Sequence, residues 1–120
     1  MKTKTTAYLA IIGIIVVLAG YGMFKSATSP GDYDDFADCL TNKGIKMYGT
    51  EWCSHCKDQK ELFGKSFKKV DYIDCDARRS ECKDAGVNSY PTWIIDGEQY
   101  SGTQSLRELV ELSDCNLGSK

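Results

Sequence analysis

The chain has 120 residues, enough for one domain and short for two. Its formal charge of −2 is unevenly placed: residues 1–30 hold three lysines (Lys2, Lys4, Lys25) and no acid, so the remainder carries 12 basic and 17 acidic residues, or −5. A mildly acidic domain with scattered lysines has no electrostatic footprint for nucleic acid, and that class of partner is excluded.

Residues 1–6 form a short basic N-terminus. Ala7 to Phe24, A-Y-L-A-I-I-G-I-I-V-V-L-A-G-Y-G-M-F, then runs 18 residues without a charge. As a helix rising 1.5 Å per residue it would span roughly 27 Å, just enough for a bilayer core. Lys2 and Lys4 precede it and Lys25 follows, so the positive-inside rule puts the N-terminus in the cytoplasm. The expectation is a single-pass transmembrane anchor over 7–24, with the domain on the outer, periplasmic or extracellular face of the cell membrane. The alternative is a cleaved signal peptide. Against it, the apolar run exceeds a usual signal core, and Lys25 interrupts before any clear A-x-A site. Export changes how the six cysteines read, because disulfides persist outside the cell and an even number can all be paired.

Residues 25–32, K-S-A-T-S-P-G-D, are small, polar and broken by Pro-Gly, which makes them a tether to a domain over 33–118. Phe36, Ala37 and Leu40 share a helical face and Gly44 is a natural stop, predicting a helix over 33–43. I-K-M-Y-G (45–49) alternates as a short strand. A helix fits 53–63, ended by Gly64, and V-D-Y-I-D (70–74) is the second strand. Residues 79–85 suit a turn or short helix before Gly86. T-W-I-I (92–95) is β-rich, and Asp96-Gly97 is a strong hairpin signal leading into 98–100. Ser105 caps a final helix whose Leu106, Leu109, Val110 and Leu112 make an apolar face. The order helix, β-α-β, connection, β-β-α fits an α/β domain with one mixed four-stranded sheet and helices on both faces.

On this map the W-C-S-H-C stretch puts Cys53 where a strand's C-terminal loop enters a helix. Free N–H groups of the first helical turn stabilise a thiolate there. Cys56, one turn deeper, can bring its sulfur to Cys53. The roles follow: Cys53 exposed and nucleophilic, Cys56 more buried and resolving. An imidazolium at His55 would stabilise the Cys53 thiolate further, favouring the dithiol and making the disulfide a stronger oxidant. The alternative for His55 is a ring facing water. Trp52 and Tyr90 flank the reactive positions as an exposed apolar surface for substrate, whereas Tyr48 and Trp93 belong to the core. Glu51, Lys57 and Lys60 read as solvated.

W-C-S-H-C-K after an aromatic strand, with Y-P-T-W about 35 residues later, resembles the thioredoxin superfamily. That resemblance implies a thioredoxin-like fold, redox roles for Cys53 and Cys56, and a cis-proline at Pro91 that exposes backbone for substrate. F-A-D-C-L-T-N-K-G-I-K-M-Y-G, W-C-S-H-C-K-D-Q-K-E-L-F-G, Y-P-T-W-I-I and Y-S-G-T-Q-S-L resemble, more closely, the thioredoxin-like domain associated with vitamin K epoxide reductase homologues. The family's quinone-reductase helices are not among these residues, which implies a separate quinone-linked membrane redox partner as reoxidant. Met47 stands where thioredoxins proper commonly carry a buried acid, which weakens the case for a reductase.

Cys75 and Cys82 bracket D-A-R-R-S-E, short enough for a loop-stapling disulfide, with a redox relay to Cys53–Cys56 as the alternative. Cys39 and Cys115 could pair by elimination or remain free thiols. A zinc site from Cys53, Cys56, Cys75 and Cys82 would lack the tight second knuckle, so no metal is expected. The leading expectation is therefore a membrane-anchored thiol–disulfide oxidoreductase with no cofactor beyond the Cys53–Cys56 disulfide. It would donate disulfides to thiol-containing exported proteins. A reductase or isomerase of the same fold, and a non-catalytic stapled or zinc-binding module, are the alternatives.

Overall fold

The computed structural model describes residues 2–27 and 31–118, with side chains at 3–18 and 31–118. Its elements run α1 (Lys2–Ala27), α2 (Asp34–Asn42), β1 (Lys46–Gly49), α3 (Ser54–Phe63), a 3-10 turn (Gly64–Lys69), β2 (Asp71–Asp74), α4 (Arg79–Asp84), β3 (Thr92–Ile95), β4 (Glu98–Ser101) and α5 (Leu106–Ser113). The strands form one sheet in the order β2-β1-β3-β4. β1 and β2 are parallel, with Met47 opposite Tyr72, and a parallel pair needs a crossover, which α3 and the 3-10 turn supply. β3 runs antiparallel to β1, with Met47 opposite Trp93. β4 returns through Asp96-Gly97, whose φ values of 51° and 80° are the left-handed pair a two-residue hairpin wants.

The period-2 alternation of the strands sorts the core onto two faces. Met47, Trp93 and Ile95 point to one face and pack with Phe36, Leu40, Phe63 and Leu109 from the helices. Tyr48 and Ile73 point to the other and pack with Cys75, Cys82 and Val87. Phe63 is the hinge of the larger cluster, with ring centroids 5.9 Å from Phe36 and 6.0 Å from Trp93.

The predicted elements are present with ends that differ by a residue or two, mostly because the flanking residue caps rather than joins the helix. Tyr33 and Lys43 flank α2, and Cys53 flanks α3. Residues 79–84 are helical. The 3-10 turn was not predicted: its Ser66 is fully buried, accepting the Tyr33 N–H at 2.7 Å. Ser105 closes α5 with a full capping box to Glu108.

In α1 the described side chains 3–18 are all exposed, among them Leu9, Ile11, Ile12, Ile14, Ile15 and Val17. Among the described residues no helix is long and apolar enough to cross a membrane. The predicted anchor over 7–24 is only partly covered, because the side chains of 19–24 lie outside the described residues.

Candidate active site

β1 ends at Gly49, the chain turns through Thr50 to Trp52, and Cys53 becomes the N-cap of α3. Its Sγ accepts the Cys56 backbone N–H at 3.1 Å. A sulfur thus occupies the position where Ser or Asp usually satisfies a first-turn donor, and negative charge is favoured there. Cys53 and Cys56 both carry free thiols. Cys56 is fully buried, and Cys53 is only 8% exposed. Cys56 lies the deeper of the two, and Cys53, expected to be exposed, is largely covered. The cause is that its side chain turns inward to cap the helix and joins the core cluster.

Gly49 makes room for the pair. A Cβ there would stand 2.8 Å from Cys56 Sγ and 3.2 Å from Tyr72 Cε2, so only glycine lets the strand pass this close. Burial, followed by the bond with Cys53, pushes the Cys56 thiol up to about 12, while the Thr50 backbone and the Lys60 charge pull the other way. At neutral pH Cys56 is therefore a thiol.

His55 is placed differently from the expectation. Its side chain is 72% exposed and its Nδ1 lies 3.8 Å from Asp58 Oδ2, on the outer face of α3. Positions two apart on a helix do not face each other, so the ring makes no described contact with Cys53. The backbone of His55 is what the fold uses: its carbonyl accepts the Thr103 hydroxyl at 3.1 Å.

Trp52 is 68% exposed, donates from Nε1 to Asp76 Oδ2 at 2.7 Å, and meets Tyr90 edge-on at 6.1 Å between centroids. The Tyr90–Pro91 bond is cis, and the Pro91 carbonyl accepts the Gly102 N–H at 2.7 Å. Tyr90 is half-buried and touches both core clusters.

The other sulfurs are joined in two disulfides, Cys39–Cys115 and Cys75–Cys82. The second takes two of the four thiolates that the zinc alternative would need. Among the described residues no group of three His, Cys, Asp or Glu side chains is placed to hold a metal.

Three contributors were not legible from sequence. Gln59, fully buried, accepts from Trp93 Nε1 at 3.0 Å and from the Gln104 N–H at 2.7 Å, and donates to the Gln104 carbonyl at 2.9 Å. Lys60, read as solvated, has a side chain only 24% exposed; it pairs with Glu51 at 3.2 Å and sits 4.2 Å over the Tyr72 ring. Its spacing four residues from Cys56 was the one available signal, since i and i+4 share a face. Gly49 was read only as a strand end.

A capped cysteine pair opening a crossover helix, with a cis-proline ahead of the next strand, defines a thioredoxin-fold dithiol domain. The chain belongs to the thioredoxin family, whose profile, Thioredoxin, matches residues 32–114. It is 40% identical to the thiol-disulfide oxidoreductase LTO1 of Arabidopsis thaliana, over 65% of this chain and 23% of that protein. It is 41% identical to the thioredoxin domain-containing protein 5 homolog of Drosophila melanogaster, over 71% of this chain and 24% of that protein. The protein disulfide isomerase-like 2-2 of Oryza sativa subsp. japonica is 35% identical over 57% of this chain and 22% of its own length. The chain thus spans about a quarter of the length of these relatives.

Proposed function

We propose that the chain is a membrane-anchored thiol–disulfide oxidoreductase that donates the Cys53–Cys56 disulfide to exported proteins. The observation that carries the exchange chemistry is the Cys53 sulfur held at the N-cap of α3 with the Cys56 N–H on it. Relatives named as a thiol-disulfide oxidoreductase and as protein disulfide isomerases support the same chemistry. In the forward step a substrate thiolate bonds to Cys53 Sγ as the Cys53–Cys56 bond breaks, and the electron pair leaves on Cys56. A second substrate thiolate then attacks the substrate sulfur and expels Cys53. Two electrons and two protons have passed from substrate to protein.

Return of those electrons is assigned to a quinone-linked membrane partner similar to vitamin K epoxide reductase, on the strength of the motif resemblance. The anchor is supported by the apolar side chains exposed around the described part of α1, because a helix apolar on all sides needs a lipid or protein cover. The exposed Trp52 and half-buried Tyr90 serve as the substrate surface beside Pro91.

The test is a redox titration of the full chain with transfer to a reduced model protein. The oxidised form should pass its disulfide on, and Cys56→Ser should trap substrates on Cys53. A reduction potential near that of thioredoxin, about −270 mV, would sink disulfide donation. The isomerase reading is favoured by the names of several relatives, and rescue of a scrambled protein at a higher potential would select it.

A further inference from the structure

Among the described residues the sheet beneath Cys56 offers it no positive charge, and the ionisable residue opposite Gly49 in register is the acidic Asp74. Met47 on β1 is fully buried and apolar, Gly49 has no side chain, and Thr50 and Tyr72 contribute neutral hydroxyls that are buried without a described partner. Burial also raises the Tyr72 phenol, as do the charges of Glu51, Asp74, Cys56 and Cys53, so it stays un-ionised. A thiolate forming on Cys56 would meet neutral groups and the acidic Asp74 on that side, none of which offsets its charge. Yet each step that makes or breaks the Cys53–Cys56 bond places negative charge on this sulfur, as leaving group in one direction and as attacking group in the other.

The missing charge comes from the helix. Lys60 lies four residues after Cys56 on α3 and therefore on the same face. Its ammonium is fixed by two contacts from different elements. Both Glu51 carboxylate oxygens are 3.2 Å away, and the Tyr72 ring centroid is 4.2 Å away. Tyr72 in turn walls the sulfur: its ring edge and Cys56 Sγ crowd the same space above Gly49, within about 6 Å of each other. The pair is asymmetric. Glu51 is 67% exposed and Lys60 only 24%, so water screens the carboxylate more than the ammonium. The Lys60 ammonium is therefore the less screened of the two charges.

We infer that Lys60, positioned by Glu51 and the Tyr72 ring, is the charge that stabilises the Cys56 thiolate and so sets the rate of the steps in which Cys56 attacks or leaves the Cys53 sulfur. The other titratable groups around Cys56 are Cys53, which caps the same helix, Tyr72, the acidic Asp74 opposite Gly49, and Glu51, which pairs with Lys60. His55 turns outward to Asp58 and takes no part. The direction in which the Lys60 charge moves the Cys56 thiol agrees with this role. In the resolving step, the Cys56 thiol loses its proton to water and its thiolate bonds to Cys53 Sγ. The bond from Cys53 to the partner sulfur breaks, and the partner leaves as a thiolate.

The kinetic arm of the test rests on the exchange reading above; a second arm does not. Reduced full-length chain is mixed with oxidised glutathione. The second-order phase reports attack by Cys53, and the first-order phase reports release of the second glutathione by Cys56. Lys60→Met, which keeps the aliphatic stem on the Tyr72 ring, should slow the first-order phase about tenfold at fixed pH and leave the second-order phase unchanged. Lys60→Arg should restore it. Independently, the ¹³Cβ shift of Cys56 in a Cys53→Ser background should titrate at higher pH in Lys60→Met than with Lys60 present. Equal slowing of both phases, or a Cys56 titration that ignores Lys60→Met, would overturn the assignment. Failure of the parent chain to exchange with glutathione or protein would overturn the functional reading instead, while the Cys56 titration still decides on Lys60.

Discussion

The Cys56 backbone N–H donates to the Cys53 sulfur at 3.1 Å, which makes the cysteine proposed as nucleophile a structural cap as well. Cys53→Ala should therefore lower the stability of the reduced protein by about 1 kcal/mol, the usual worth of an N-cap. Cys53→Ser, which restores an acceptor, should recover most of that and none of the exchange activity. Paired thermal melts and thiol-exchange assays on the two variants separate the roles.

The two disulfides should contribute unequally. Cys39–Cys115 joins residues 76 apart and Cys75–Cys82 residues 7 apart. Loop-closure entropy assigns the long loop about 4.5 kcal/mol and the short one about 2.5 kcal/mol. Denaturant midpoints of the double-alanine variants should fall in that order. A larger loss from the short pair would show that it holds α4 by packing rather than by chain entropy.

Alkaline pH should distinguish the reduced from the oxidised protein. The Cys56 thiol is raised from 9.0 to about 12 on folding, chiefly by burial. Between those values the unfolded chain releases a proton that the native state keeps, so stability is complete below pH 9.0 and is lost as pH rises towards about 12. The loss should approach about 1.4 kcal/mol per pH unit in the reduced form. The oxidised form has no Cys56 proton to lose and should lack this component. Melting curves of both forms across the same alkaline range measure it.

Gln59 serves three partner groups at once, one buried and two half-buried, and Gln59→Leu would leave the Trp93 indole N–H and the Gln104 amide without acceptors. Each orphaned group costs roughly 1–3 kcal/mol, so a total loss of about 2–4 kcal/mol is expected in the denaturant midpoint, with an unchanged slope. Gln59→Glu should be nearly as damaging, because it buries a charge and removes the donor to the Gln104 carbonyl.

The contrast between Gln59 and its neighbours explains what the sequence could reveal. Strand alternation, the Asp96-Gly97 turn, the Ser105 cap and the spacing of Cys53 and Cys56 are local signals, and each marked its element. Gln59 and Lys60 are polar residues on a helix, and by pattern they belong in water. Their destinations depend on Tyr72, Trp93 and Gln104, which lie on other elements and reach them only through tertiary packing. The 3-10 turn escaped for the same reason, since the burial of Ser66 rests on the Tyr33 N–H. His55 shows the opposite error. Adjacency in sequence suggested contact with Cys53, and helical geometry rotates the two apart.

The chain's two tryptophans stand in opposed settings: Trp52 is 68% exposed and adjacent to the reactive Cys53, whereas Trp93 is fully buried and bonded to Gln59. A disulfide quenches a neighbouring indole, so the emission of Trp52 should dim and brighten as the pair is oxidised and reduced. Trp93 shares the buried cluster of both cysteines, so its blue-shifted emission should respond as well and be separable from that of Trp52 by wavelength. The domain thus carries its own optical gauge of redox state, readable without a dye and in the presence of the substrate it acts on.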